Sequence, residues 1–536
     1  MATQDVFVRK SSGLTRQISP RDALMYAAMN PGLLYSLVYI IYAPAFYEGA
    51  HMGIGVLWVL LMFPIAGLIW YFSVSMPRSG GEYVYISRSL HPSLGLWASF
   101  IISVTGISWL GVITDWWMTW GVNGTLRAIG VANENQGLID LANNLDQQWV
   151  RLLIGSISIL GLTTWLFFKG TRTMMRLSYW AVAFGWLAIL ILLGFVLLSG
   201  RDAFVDGFNR LSGTDYETIL VAGQNAGAVF KVTFFATMLA GVTYICLNTL
   251  GSTYSASLAG EIRGVSRSQA LALFGSLAIQ MAIWFSAYQL LYALVGRDFL
   301  HSMNALWLNG DAAYPASFAA PNAGAEPFPT MYLAFVNGSP LILGLFGFCF
   351  ILVTWVSIAG LAFAPIRNVF AWSFDRIIPT KFSEIKTRYR APAWSIVAVI
   401  LTAYIFFLLQ IYRPDIVANI LYSIIAWFLG WIVLGIAGMV YPYRRKELYE
   451  AGPPATQKRI GGIPLISILG LVTAVVSIFI SWAVLKPFLE GDAPWSGLWP
   501  VYVMAGIPVV IYVIAHYYHK SKGIPLSLQF SQVPPE

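Results

Sequence analysis

Long apolar runs alternate with short polar ones along nearly the whole chain. A helix needs about 20 mostly apolar residues to cross a bilayer. Twelve stretches meet that length: 23–47, 53–75, 93–122, 150–168, 176–199, 229–261, 269–296, 339–366, 393–412, 416–441, 463–487 and 496–518. They are called spans 1 to 12 below. The pattern predicts an all-α polytopic membrane protein with twelve transmembrane helices. The longest connection, 297–338, is rich in Pro, Ala and Asn, including Tyr314-Pro315-Ala316 and Glu326-Pro327-Phe328-Pro329, and is too polar to span. No separate soluble domain is expected.

Two spans depart from a straight rod. Span 1 contains Asn30-Pro31-Gly32 within Ala27–Leu34. Proline removes a backbone donor and clashes with the preceding turn, and glycine adds freedom, so the triplet predicts an unwound helix. In lipid, open backbone is tolerated only where it lines a cavity or is buried in protein. The interruption is therefore either a kink for close helix contact or a binding site. Span 6, residues 229–261, exceeds what one helix needs at about 1.5 Å per residue. It holds Asn248-Thr249-Leu250-Gly251-Ser252-Thr253, a run of mostly weak helix formers. The second break is placed at Gly251, with Ala240-Gly241-Val242 as the other register. Spans 1 and 6 are five apart and so cross in opposite directions. Paired broken helices in two inverted halves point to a secondary transporter with its site at the midplane. The alternative is two kinked helices that merely touch.

Composition agrees with the pattern. Of 536 residues, 58% are hydrophobic and 10% charged, and the mean hydropathy is +0.68. Soluble domains carry about 25% charged residues. The net charge of +8 reads as topology rather than nucleic-acid binding. With the N-terminus in the cytoplasm, the inner segments hold 24 of the 32 basic residues, from Arg9, Lys10, Arg16 and Arg21 through Lys386, Arg388 and Arg390 to Lys520 and Lys522. Acidic residues such as Asp140, Asp202, Asp206 and Glu217 gather outside. The bias toward the inside predicts both termini in the cytoplasm, and the plasma membrane is the expected location. Cys246 and Cys349 lie in apolar runs and suggest neither a disulfide nor a metal site. The polar first residues lack the apolar core of a signal peptide.

Three motifs resemble the amino acid–polyamine–organocation superfamily, in particular its amino acid permeases. Pro77-Arg78-Ser79-Gly80-Gly81-Glu82-Tyr83 follows span 2 and is similar to that family's proline–Gly-Gly–Tyr motif. Arg367 through Asp375 to Pro379, then Arg390-Ala391-Pro392, resembles the family's loop after span 8. Ser255–Arg263, with Gly260-Glu261, is similar to the end of the permeases' sixth span. The resemblance implies a five-plus-five inverted repeat, the leucine-transporter fold, with two peripheral helices. The organisation it implies is a cytoplasmic tail over 1–22, a first repeat over 23–199 and a second over 200–441 that contains the extracellular loop 297–338. Peripheral helices within 442–518 and a cytoplasmic tail over 519–536 complete it. It also implies alternating-access transport of amino acids or related amines. Amides of Gly32, Leu33 and Leu34 would meet a substrate carboxylate, and carbonyls of Asn30, Leu247 and Leu250 an ammonium. Leu33-Leu34 replace the small residues common in the family, which shifts the contact toward Gly32 or points to a substrate other than a standard α-amino acid.

Other candidates come from position. Ser103, Thr105 and Ser108 of span 3 either face the site or bond their own helix carbonyls. Asn248 and Thr249 flank the span 6 break and need partners. Thr354 and Ser357, one turn apart on span 8, are hydroxyls where sodium-coupled members of the fold place ligands. Span 5 lacks the lysine of some proton-coupled members around Gly185, so proton, sodium and exchange coupling all stay open. Asp115 is an intramembrane carboxylate beside Trp116 and Trp117, suited to a structural or outer-gate role. Lys231 reads as a snorkelling residue, and His516 and His519 as interfacial ones. No cofactor, metal or nucleic-acid partner is expected, and no phosphate loop, nucleophile elbow or metalloprotease motif is present. The expected partners are a small substrate, the lipid bilayer, and a proton or sodium ion. The rival readings are a nucleobase, sugar or organic-cation carrier of the same fold and, in another class, a membrane enzyme subunit or a channel.

Overall fold

The computed structural model describes residues 16–318, 328–385, 391–420, 422–491, 493–523 and Phe530. Of the residues read above, Arg9, Lys10, Lys386, Arg388, Arg390 and Glu326-Pro327 lie outside these, as do most of the two tails.

Eleven helices among the described residues are long and apolar enough to cross a membrane. Spans 2 to 12 are observed as Met52–Ser75, Pro92–Ala132, Gln148–Lys169, Thr171–Leu198, Phe234–Glu261, Val265–Val295, Pro340–Phe374, Ala393–Tyr412, Pro414–Arg444, Leu465–Glu490 and Trp495–Ser521. The expected count of twelve is not reached because span 1 is in pieces. Its helix runs from Pro20 to Met29, and after a turn the chain resumes as a 3-10 segment, Tyr35–Val38, and a helix, Tyr39–Phe46. Neither piece alone is long enough to cross.

Two boundaries differ for physical reasons. Span 3 continues past residue 122 to Ala132, through a wide π-helical stretch at Trp117–Asn123. Span 8 runs to Phe374, so the stretch from Arg367 expected as a loop is helical. Pro365 does not end that helix. It only removes the bond to the carbonyl four residues back, on Leu361.

Burial is organised for lipid. Leu190, Leu197, Leu341 and Ile514 are exposed, and apolar side chains like these form the outer face of the bundle. Inside, helices meet where side chains are absent, as is common between membrane helices. A Cβ on Gly241 of span 6 would lie 2.5 Å from the Gly55 carbonyl oxygen of span 2. One on Gly470 of span 11 would lie equally close to the Gly435 carbonyl of span 10. Between spans 7 and 8, Arg297–Leu308 and Pro329–Val336 form short helices. Phe299 stacks on Tyr216 at 4.4 Å and sits edge-on to Phe208 at 4.9 Å, which ties these helices to the connection after span 5.

Candidate functional site

Span 1 starts at a capping box. The Asp22 amide donates to Ser19 Oγ at 3.2 Å, and the Ser19 amide to Asp22 Oδ2 at 2.9 Å. The helix stops at Met29 because Pro31 has no amide and Gly32 turns to φ +70°. Side chains from spans 7 and 8 take the carbonyls of the break and its approach. Gln280 Nε2 donates to Ala27 O at 3.2 Å, the Trp284 indole to Leu33 O at 3.1 Å and the Ser357 hydroxyl to Met29 O at 2.7 Å. Each such bond stabilises the unwound backbone by about 1 kcal/mol.

Span 6 changes pitch twice. A short helix, Phe234–Ala240, widens over Gly241–Cys246 and then tightens into a 3-10 helix from Leu250 to Glu261. Runs of 3-10 helix beyond about four residues are uncommon. Here hydroxyls sustain the tight turn by bonding carbonyls three residues back: Thr249 to Cys246 at 2.6 Å, Ser252 to Thr249 at 2.7 Å and Thr253 to Leu250 at 2.8 Å.

The two breaks touch. A Cβ on Gly251 would lie 3.1 Å from the Asn30 carbonyl carbon. Between them is a cavity of about 50 Å³. Asn30, Pro31 and Gly32 line it from span 1, and Leu247, Asn248, Leu250 and Gly251 from span 6. Thr105 of span 3 and Thr354 and Ser357 of span 8 join them. Gly241 packs against span 2, so of the two registers it is Gly251 that faces the cavity.

Several expected residues lie elsewhere. Leu33 and Leu34 are buried but do not line the cavity, because the φ of Gly32 turns the chain away from it. The Gly32 amide donates to Met29 O at 3.0 Å and so is already engaged. Ser103 Oγ accepts from Asn368 Nδ2 at 2.8 Å, Ser108 donates to its own helix at Thr105 O, and Thr249 to Cys246 O. All three hydroxyls are occupied away from the cavity.

Sequence reasoning missed the aromatic walls, Tyr35, Tyr39, Trp109, Tyr254 and Trp427, together with Leu361, whose carbonyl Pro365 leaves without its helical donor. Pro365 within an apolar run was the one available signal. Outward of the cavity, Tyr35 stacks on Trp116 with 5° between ring planes, and Trp116 on Trp120 at 4.9 Å. None of the described lining residues is Asp, Glu, Lys, Arg or His. Several buried polar atoms of the lining lack a protein partner: Asn248 Nδ2, the Thr105 and Thr354 hydroxyls and the Trp427 indole nitrogen. Buried polar groups are normally bonded, so a small polar guest satisfies this lining better than an apolar one.

The three motifs converge at the end of the bundle where the first described residues meet Glu261. Glu261 Oε1 accepts from Arg367 Nε at 2.6 Å, and Oε2 from the Thr171 hydroxyl at 2.9 Å. The amides of Gln17 and Ile18 donate to the Glu261 carbonyl. Arg88 pairs with Asp375 at 2.7 Å, and Tyr83 donates to the same carboxylate at 2.8 Å. The Gly80 amide donates to Ser257 O at 3.1 Å, and a Cβ on Gly80 would lie 2.6 Å from the Ala371 Cβ. The Ser373 hydroxyl donates to Pro379 O, while Pro77 only leads into the turn. In span 3, Asp115 accepts from Arg151 Nε at 2.8 Å and from Gln410 Nε2 at 3.1 Å, so Asp115 ties spans 3, 4 and 9 together. His519 bonds the Arg376 carbonyl, and His516 stacks on Tyr512.

No curated protein matches the chain. The family described as amino acid permease matches residues 23–511. That match takes in both breaks, the three motifs and all of the spans except the start of the first and the end of the last. Its assignment points to transport of amino acids or amines rather than to an enzyme. The chain is a polytopic α-helical membrane protein that belongs to the amino acid permease family.

Proposed function

We propose that this permease carries amino acids or related amines by alternating access, with substrate held between the breaks of spans 1 and 6. The observation that carries the reading is the contact of Gly251 with Asn30 beside a cavity where Asn248 Nδ2 and the Thr105 and Thr354 hydroxyls are buried without partners. One water needs roughly 10–15 Å³ of such space. The cavity, at about 50 Å³, therefore has room for a few heavy atoms, which suits a small amino acid. With no Asp, Glu, Lys, Arg or His among the described lining, a substrate carrying net charge would be left unpaired at high cost. A zwitterion fits better, because helix ends offer partial charges of both signs.

In this reading Asn30, Leu247, Asn248, Leu250 and Gly251 hold the ends of the substrate, and Gly32 shapes the break beside it. Thr105 and Thr354 supply hydroxyls, and Ser357 holds the Met29 carbonyl of the break. Leu33 and Leu34 fix the outer half of span 1. The termini lie in the cytoplasm and the protein in the plasma membrane, with spans 11 and 12 outside the inverted repeats. The cytoplasmic cluster of Gly80, Gly81, Tyr83, Arg367, Asp375 and Pro379 closes the inner side. Counterflow across proteoliposomes, with radiolabelled alanine, serine, leucine and 4-aminobutyrate in turn, tests the function. Gly32→Val tests the site.

A further inference from the structure

Glu82 is the one residue of the Gly80–Tyr83 motif with no role so far. It is 1% exposed, Oε1 has no partner, and among the described residues no lysine or arginine pairs with it. Arg88, six residues on, is engaged by Asp375. The carboxyl has the Trp431 indole of span 10 beside it, and burial pushes its pKa up to about 7. The other titratable groups around it have their own partners: Tyr83 with Asp375, Tyr85 with Ser73, and Tyr254 of span 6 with the Ile102 carbonyl of span 3. A buried carboxyl without a counter-charge is stable only while protonated.

Its position connects it to the cavity. In a 3-10 helix, residues three apart eclipse one another. Within Leu250–Glu261 this puts Gly251, Tyr254 and Ser257 on one face. Gly251 and Tyr254 line the cavity. Ser257 meets the turn that carries Glu82: a Cβ on Gly81 would lie 3.0 Å from Ser257 Oγ, and that buried hydroxyl has no partner. The Glu82 carboxyl also lies within electrostatic reach of the Tyr254 phenol. One helical face thus runs from the substrate cavity to an uncompensated carboxyl on the inner turn.

We propose that Glu82 is the proton-carrying group of the transport cycle, loaded from the cavity side along the Tyr254–Ser257 face and unloaded into the cytoplasm. While the inner side is closed, the carboxyl keeps its proton. When that side opens, water reaches the carboxylate, the O–H bond breaks and the proton passes to cytoplasmic water. On reclosing, the carboxylate takes a proton that arrives from outside through the cavity. Each cycle moves one substrate and one proton inward. The assignment rests on the transport reading above and selects proton over sodium coupling.

The test uses the full chain in proteoliposomes with the membrane potential clamped. Counterflow of the four radiolabelled probes is measured first, then accumulation driven by external acid, with and without sodium. The wild type is expected to accumulate its substrate up to about tenfold per pH unit at one proton per substrate. Glu82→Gln is expected to keep counterflow and lose driven accumulation. If that variant does not fold, Glu82→Asp takes its place and should shift the pH dependence of driven accumulation, an unshifted profile overturning the role of Glu82. An internal pH dye in wild-type vesicles tests proton coupling itself, because substrate should acidify the lumen. Undiminished acid-driven accumulation by Glu82→Gln would overturn the role of Glu82. Wild-type counterflow with sodium-driven uptake, or with no acidification, would overturn proton coupling and leave the transport reading standing. Counterflow of none of the probes would remove that reading itself.

Discussion

A β-carbon on Gly251 has 3.1 Å of space before it meets the Asn30 carbonyl carbon, and that one distance brings the two breaks together. Beside it, Asn248 contributes a buried Nδ2 without a partner. Asn248→Ala should weaken substrate binding by about 1–2 kcal/mol, the cost of one lost buried hydrogen bond. A ligand thermal-shift titration reads this directly, and an unchanged midpoint shift would take Asn248 out of the site. The Asn30-Pro31-Gly32 break was legible because proline and glycine act locally on the backbone. Leu33 and Leu34 do not line the cavity because which way a side chain points after a break depends on a single φ, here that of Gly32, and the Thr249 hydroxyl bonds its own helix at Cys246. Tyr254 and Trp427 were not legible at all. In a chain that is 15% aromatic, a ring facing a cavity and a ring facing lipid look alike in sequence.

Between elements, two buried ion pairs, Arg88–Asp375 and Arg367–Glu261, join segments far apart in the chain. Arg88 and Asp375 are 0% and 2% exposed, so removing one charge leaves the other buried and alone. Asp375→Asn should cost about 3–5 kcal/mol, read as a fall in the thermal midpoint of the detergent-solubilised protein. Arg413→Ala breaks a pair that is more than half exposed on both sides and should leave the midpoint nearly unchanged. Equal losses from the two variants would contradict the account. The three motifs announced this cluster in sequence. Its geometry was less visible, because span 8 was read as 339–366 and the helix runs on to Phe374.

Outside the spans, His301 on the Arg297–Leu308 helix is buried near Arg297, and burial pushes its pKa down to about 3. The unfolded chain binds a proton near pH 6.5, so it holds more protons than the folded chain between that pH and about 3. Stability should therefore be level above pH 6.5 and fall as the pH drops through that window, by up to about 1.4 kcal/mol per unit. Melting curves from pH 8 to pH 4 measure the slope. His301→Gln should flatten it, and an equal slope in the variant would assign acid lability to other groups.

For the whole molecule, the sequence carried the class and most of the boundaries. Span 9 was read as 393–412 and is observed at those residues, because apolar length alone decides where a simple membrane helix starts and stops. The count of eleven long helices with one broken crossing follows from the same backbone rule that made span 1 conspicuous. Orientation rests on the basic residues. A cysteine placed at Ser383, in a protein whose own cysteines are buried, should resist an impermeant thiol reagent added outside intact cells and react once the membrane is opened. Labelling from outside would invert the topology.

The central claim is that substrate is held where the two broken spans meet, and counterflow by the wild type and Gly32→Val tests it most directly. Gly32 has φ +70°, and a Cβ there would lie 3.1 Å from the Tyr35 Cβ, so a β-branched residue forces the break out of shape. The account predicts saturable counterflow of at least one small zwitterionic amino acid by the wild type. It predicts a loss of more than about tenfold in Gly32→Val, equivalent to ~1.4 kcal/mol, in protein that still elutes as a single folded species. Wild-type affinity and counterflow in that variant would contradict it.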